Sequence, residues 1–288
     1  GRDGRFRNIT INNNRTVDSR IPVSRGGLVA VRAARRGRVA ARILQADSDI
    51  PLEEAGIRAP FTPVEQLSWR GLYPRADYRL DDPHFPVAVT WFALSPVIPY
   101  DLDFSCLPAL FLSLEVNNPG DTIVDVATVL NWENLCGCTR SHWPLDRGIV
   151  QYVSADVTRE RSRGSERAGN NVPLRLAAGG LRFGLFREYP TNAHGNYCLA
   201  ARAEPDLTIS VKSWDETKTD QVAEFWYQFH DEGKLDNHLA GSTEAHSVSV
   251  CCSFSLLPGT SRTVLYVFAW YCPQFMVGGY DQSNRYAI

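Results

Sequence analysis

The turn Asn117-Asn118-Pro119-Gly120-Asp121 constrains this sequence more than any other stretch. It stands between two runs with strand character, residues 110–116 and 123–132. Pro and Asn set the local backbone of such a turn, and Gly120 can take positive φ at no steric cost. Two strands closing around it predict a hairpin, and 87–94 ahead of them predicts a third strand. The stretch 73–135 is therefore the expected strand nucleus. Tyr73 is expected to enter a strand, because the residue before a proline is pushed toward extended geometry.

The rest of the chain reads as more sheet added to that nucleus. Runs 28–33 and 39–44 predict a hairpin closed by Arg35-Arg36-Gly37-Arg38, and 148–153, 174–185, 196–203 and 207–214 predict further strands. Residues 247–256 alternate cleanly, with Val248, Val250, Cys252, Phe254 and Leu256 on one side and Ser247, Ser249, Cys251, Ser253 and Ser255 on the other. That pattern predicts a strand with one face buried and one in water. Pro258-Gly259-Thr260 then turns the chain into 263–271, apolar on both faces and so expected to be central. One segment breaks the pattern. Within 219–235, Val222, Phe225, Trp226 and Phe229 fall at i, i+3, i+4 and i+7, one face of a helix. Thr217 or Thr219 can cap its start and Gly233 its end. The reading is a mainly β chain, one domain over 1–288, with one helix near 219–235 packed on a sheet.

At 288 residues and 44% hydrophobic content, the chain can bury a sizeable core. The longest apolar run, 264–271, has the length of a buried strand, and no run approaches the roughly 18 apolar residues of a membrane span. The chain begins Gly-Arg-Asp-Gly, as expected of a piece of something longer. Its seven cysteines are odd in number and irregularly spaced, which is not a disulfide framework and favours a reducing, cytoplasmic compartment. Net charge is −2, yet residues 1–42 hold eleven Arg against Asp3 and Asp18. Only Lys212, Lys218 and Lys234 are Lys, so the basic end reads as an arginine-rich composition and a hairpin turn rather than a nucleic-acid surface.

No phosphate-binding glycine loop and no Gly-x-Ser-x-Gly elbow are present. Cys136, Cys138 and His142 in CGCTRSH could supply three zinc ligands, but the second pair of a zinc site is missing. No metal and no cofactor are expected. Paired carboxylates of the glycosidase kind cannot be picked out: Asp81-Asp82 reads as a turn, and Asp101 and Asp103 as a loop after Pro99. Glu133, between Trp132 and Asn134 at a strand end, is the one acid with aromatic and amide neighbours suited to a sugar. Asn12, Asn13, Asn14 and Arg15 offer planar amides and a guanidinium that match sugar hydroxyls, and Trp132 offers a stacking face. These seven residues are the candidate ligand-binding set. No residue is assigned a catalytic role.

Several motifs now fall into a shared order. YPRADYRLDDPHFPVAV, FALSPVIPYDLDFSCLPA, VNNPGD and NWENL come first. GLRFGLFREY at 180–189, GNYCLAARA at 195–203, Phe225-Trp226, SFSLLPGTSRTVLYVFAWYCP at 253–273 and Asn284-Arg285-Tyr286 follow. The series resembles the N-terminal domain of glycoside hydrolase family 116, whose members include β-glucosidases and glucosylceramidases, and it covers nearly the whole chain. The resemblance implies a large two-sheet antiparallel β-sandwich packed against a C-terminal (α/α)6 barrel. It implies that the nucleophile and acid/base carboxylates of a retaining reaction belong to the barrel, so that this chain carries neither. Its partners would be that barrel and a β-glucoside or glucosylceramide-like substrate at the domain junction, with no nucleic acid. The sequence departs from the family pattern in its shortened Gly-rich opening and at Asn8. The alternative is a stand-alone carbohydrate-binding or protein-interaction sandwich.

Overall fold

The computed structural model of the chain describes residues 2–9, 21–23, 27–46, 62–133, 174–176, 180–185, 195–215, 218–239, 247–271, 276–277 and 280–281. In chain order the first strands are β1 (Arg7–Ile9), β2 (Ile21–Val23), β3 (Leu28–Arg35), β4 (Arg38–Ala46) and β5 (Pro63–Val64). Then come β6 (Gln66–Leu72), β7 (Arg75–Asp81), β8 (Ala88–Leu94), a one-turn helix α1 (Leu102–Ser105), β9 (Ala109–Asn117) and β10 (Val124–Glu133). The second half holds β11 (Leu174–Leu176), β12 (Gly180–Leu185), β13 (Gly195–Ala201), β14 (Thr208–Trp214) and α2 (Thr219–Tyr227). It closes with β15 (Ser247–Leu256), β16 (Ser261–Tyr271), β17 (Met276–Val277) and β18 (Tyr280–Asp281).

Two large sheets face each other. One has six strands in the order β14-β15-β10-β3-β4-β5, the other eight in the order β11-β12-β13-β16-β9-β8-β7-β6. All their pairings are antiparallel except the short β4–β5 contact. The expected two-sheet antiparallel sandwich is thus the observed fold. Strand alternation fills the space between the sheets. Val126 and Leu130 of β10, Val250 and Phe254 of β15, and Leu112 and Leu114 of β9 join Val264 and Phe268 of β16 in one continuous core. Burying each such side chain contributes about 1.5–3 kcal/mol. A polar tie crosses the core: the buried Tyr266 hydroxyl donates to the Thr128 carbonyl oxygen at 2.9 Å. Burial holds the Tyr266 phenol well above its ordinary pKa, so it stays a donor. β16, apolar on both faces, is central as expected, flanked by β13 and β9.

The hairpin predicted around Asn117–Asp121 is not formed. β9 pairs with β8 and β16, and β10 with β15 and β3, so the turn carries the chain from one sheet to the other. It is an arch, and a second arch at 257–260, between β15 and β16, lies against it. Asn118 N donates to Thr260 O at 3.0 Å, and Gly259 N donates to Asn118 O at 2.9 Å. The fully buried Asn118 amide donates to the carbonyls of Thr122, Leu256 and Leu257 and accepts from Gly120 N. Arg35 and Arg36, in the β3–β4 turn, both pair with Asp121 of the arch. That β3–β4 hairpin is formed as predicted, with Arg36 and Gly37 at positive φ. Tyr73 is in the turn between β6 and β7 rather than in a strand, because Pro74 cannot donate to a ladder.

The predicted helix is present and shorter. α2 is regular to Tyr227, widens into one π-helical turn over Gln228–Glu232, and ends at Gly233 in the left-handed region at φ +68°. Its start is Lys218, with no side-chain cap, in place of either threonine. Val222, Phe225 and Phe229 lie on the outer face of the six-stranded sheet, where Phe225 stacks on Trp214 at 4.5 Å. This placement corrects the reading of β15. Its serine face is not in water at the covered end: Ser247, Ser249 and Cys251 are fully buried under α2 and the segment after it.

The polar groups trapped there find partners, as burial demands. Trp214 Nε1 donates to Asn131 Oδ1 and Ser249 Oγ at 3.0 and 2.8 Å. Arg32 Nε and an Nη donate to the His230 and Asp231 carbonyls, capping the helix end from the sheet below. Burial lowers the Arg32 pKa from the ordinary arginine value, with Asp125 offsetting part of the shift. Buried Lys212 Nζ bridges Glu224 Oε1 at 3.0 Å and Asp236 Oδ2 at 2.7 Å. No helix among the described residues is long and apolar enough to cross a membrane.

Candidate functional site

β10 runs from the arches to the opposite end of the sandwich, and that end gathers the features that bear on function. Trp132, next to last in β10, is 4% exposed. Its ring meets Phe268 at 4.0 Å and Phe6 edge-on at 5.0 Å, and its Nε1 has no acceptor. It is a wedge between the sheets rather than an open stacking face. Glu133 is the last residue of β10, opposite Ser247. Asn12, Asn13, Asn14, Arg15 and Asn134 lie outside the described residues, as does the CGCTRSH segment. Among the described residues no group of three His, Cys, Asp or Glu side chains could hold a metal ion.

Phe268 also leads to a segment that the sequence reading of the site missed. It pairs with Leu110 at the start of β9, and Trp270 N donates to Pro108 O, so the loop 95–108 is rooted beside Trp132. The β6–β7 turn joins it, with Ser95 N donating to Pro74 O. The loop is held by its own polar groups. Ser105 Oγ accepts from Ile98 N at 2.8 Å and donates to Ile98 O at 2.9 Å. Asp101 caps α1 by accepting from Phe104 N at 2.9 Å. The side chains it displays are apolar and in water: Ile98, Tyr100, Leu102 and Phe104, with Leu72 and Tyr73 from the neighbouring turn. The sequence signal was there, in apolar residues bunched without a strand or helix period between prolines.

Two hollows lie elsewhere. One, of about 440 Å³, is on the outer face of the eight-stranded sheet. Arg75, Asp77, Thr90, Phe92 and Glu115 line it, but the Arg75 guanidinium covers the Phe92 ring at 3.9 Å and is paired with Asp77. The Phe92 face is therefore taken, and the aromatic surface left at the rim is Trp69, 40% exposed, with Arg2 over its ring at 5.3 Å. The other, of about 660 Å³, adjoins the arches and is lined by Arg35, Arg36, Arg38 and His84, with Asp121 neutralising two of the arginines. Buried thiols offer no nucleophile, since burial pushes Cys251 and Cys252 up to about 12.

The fold and this end define a β-sandwich domain with no assembled catalytic group among its described residues. A family model described as "beta-glucosidase 2, glycosyl-hydrolase family 116 N-term" matches residues 1–287. The chain belongs to that family, as its N-terminal part. Solved structures similar to it include a heparan sulfate lyase, HepC, from Pedobacter heparinus, at 6% identity and a TM-score of 0.35, covering 74% of this chain and 22% of that one. A putative kojibiose phosphorylase from human microbiome has 10% identity and a TM-score of 0.32, covering 84% and 21%. A GH36 α-galactosidase, AgaA, from Geobacillus stearothermophilus has 9% identity and a TM-score of 0.33, covering 74% and 29%. The chain spans less than a third of each, and likenesses this remote carry no argument about its function.

Proposed function

We propose that this chain is the non-catalytic N-terminal β-sandwich of a retaining β-glucosidase or glucosylceramidase-like enzyme. In this reading it supports a C-terminal helical barrel and shapes the mouth of the active site that the barrel holds. The observation that carries the reading is the family match over 1–287. A fold does not by itself define a function, but the described residues are consistent with a supporting role. The polar groups under α2 and at the arches are consumed by packing, and neither hollow presents a pair of free carboxylates. Asn12, Asn13, Asn14, Arg15, Glu133 and Asn134 are the proposed ligand-binding residues, whereas Trp132 is buried.

Glu133 supplies the test. In the two-domain protein, Glu133→Gln is expected to raise KM for an aryl β-glucoside while kcat stays within about tenfold, because general acid catalysis is worth about 10²–10⁴ and would be lost outright with its carboxyl. A kcat loss of that full size, in a protein whose unfolding midpoint is unchanged, would place the catalytic acid in the sandwich and refute the division of labour.

A further inference from the structure

We propose that the loop 95–108, together with the Leu72-Tyr73 turn, is the surface by which this sandwich docks onto the catalytic domain of the same protein. The inference rests on the functional reading of the chain as a supporting sandwich and names the contact which that reading requires.

Tyr100 is fully exposed and Leu72 and Leu102 are each 77% exposed, with Tyr73, Ile98 and Phe104 beside them. Single apolar side chains on a surface need no explanation, but a bunched set marks an interaction site. The display is built rather than accidental. The backbone under it is fixed by the Asp101 cap, by the two Ser105–Ile98 hydrogen bonds and by the Ile98–Asp101 bridge. Tyr100 stands at φ +67°, a conformation that a bulky residue rarely adopts, with its ring outward. Backbone held in such a region points to a functional demand on the position.

The chemistry selects the occupant. Residues 95–108 contain Asp101 and Asp103 and no Lys or Arg. Acidic groups among the apolar ones are repelled by an anionic lipid surface, and a braced loop suits a partner of fixed shape. The complementary surface is an apolar protein face rimmed by basic side chains. Its place is also indicated. β16 ends at Tyr271 on this end of the sandwich, through the Trp270–Pro108 hydrogen bond, and β10 ends there at Glu133. An active-site mouth beside Glu133, as the functional reading has it, calls for contact at this end.

Cys106, exposed and free within the loop, is a built-in reporter. Its maleimide labelling rate, read at the peptide level by mass spectrometry, is compared between the isolated chain and the two-domain protein. Docking predicts labelling at least about tenfold slower in the two-domain protein. Tyr100→Gly with Leu102→Asp is expected to restore the fast rate there without lowering the unfolding midpoint of the isolated chain. Equal labelling of Cys106 in the two unaltered proteins overturns the docking surface, whether or not the two-domain protein hydrolyses β-glucosides. Protection of Cys106 in a two-domain protein without β-glucosidase activity keeps the surface and overturns the functional reading instead.

Discussion

β9 has a loop at each end, and the two loops are opposites. The arch after it turns its polar chemistry inward: the Asn118 amide is spent on three carbonyls of two strand ends, and Asp121 holds two arginines of a neighbouring turn. The loop before it also satisfies its polar groups, but leaves its apolar side chains in water. The first arrangement is complete within the chain. The second costs the isolated chain something and returns nothing to it. A segment that serves the fold consumes its own groups, whereas a segment that serves a partner is braced without being covered.

The largest break in this comparison is expected from Asn118→Ala. It strands buried carbonyls that nothing else can reach, and should destabilise the chain by about 3 kcal/mol. Denaturant unfolding would show a lower midpoint at unchanged slope. A loss below about 0.5 kcal/mol would mean the arches are not what closes that end. Next comes Arg32→Ala, which uncaps the end of α2 and opens space beneath Gly233. A loss of about 2 kcal/mol is expected from the hydrogen bonds of a buried charged group, with hydrogen exchange faster first in 219–235.

A smaller effect depends on pH. Burial works against the Asp236 carboxylate, but hydrogen bonds from Lys212, Gln228 and the His238 N–H together outweigh it and hold its pKa below the ordinary value. Its contribution to stability is therefore present above the unfolded aspartate pKa, about 3.9, and is lost as pH falls through the depressed folded value. Unfolding midpoints measured from neutral pH into that acid range should fall more gently in Lys212→Met than in the parent chain. The smallest effect belongs to the open loop. Tyr100→Gly relieves a positive φ, and should leave the isolated chain as stable or more stable by up to about 1 kcal/mol. A marked loss would show that the loop serves the fold after all.

Much of this architecture was legible in the strands themselves, because period-two alternation names the buried face whatever the pairing. What alternation does not name is the neighbour. Residues 112, 114 and 116 of β9 and 124, 126 and 128 of β10 face the same core from opposite sheets. Locally that reads the same as a hairpin, so the arch was invisible until Asn118 was seen bridging two sheet ends. The serine face of β15 misled for a related reason. Small polar residues look solvated, but the aromatic stripe of α2 needs a surface to lie on, and Ser249, Cys251 and Ala127 leave the room for it. Trp132 was read as a stacking face from its neighbours in sequence. Its neighbours in space, Phe6 and Phe268, lie 126 and 136 positions away and could not be read from them. The apolar loop 95–108 fits neither period, and that misfit was its signal.

The central claim is a division of labour, and turnover tests it most directly. The chain of residues 1–288 and the two-domain protein, purified alike, are assayed for release of aryl alcohol from an aryl β-glucoside. Hydrolysis is expected from the two-domain protein and none above background from the isolated chain. Enzyme-like turnover by the isolated chain would contradict the claim.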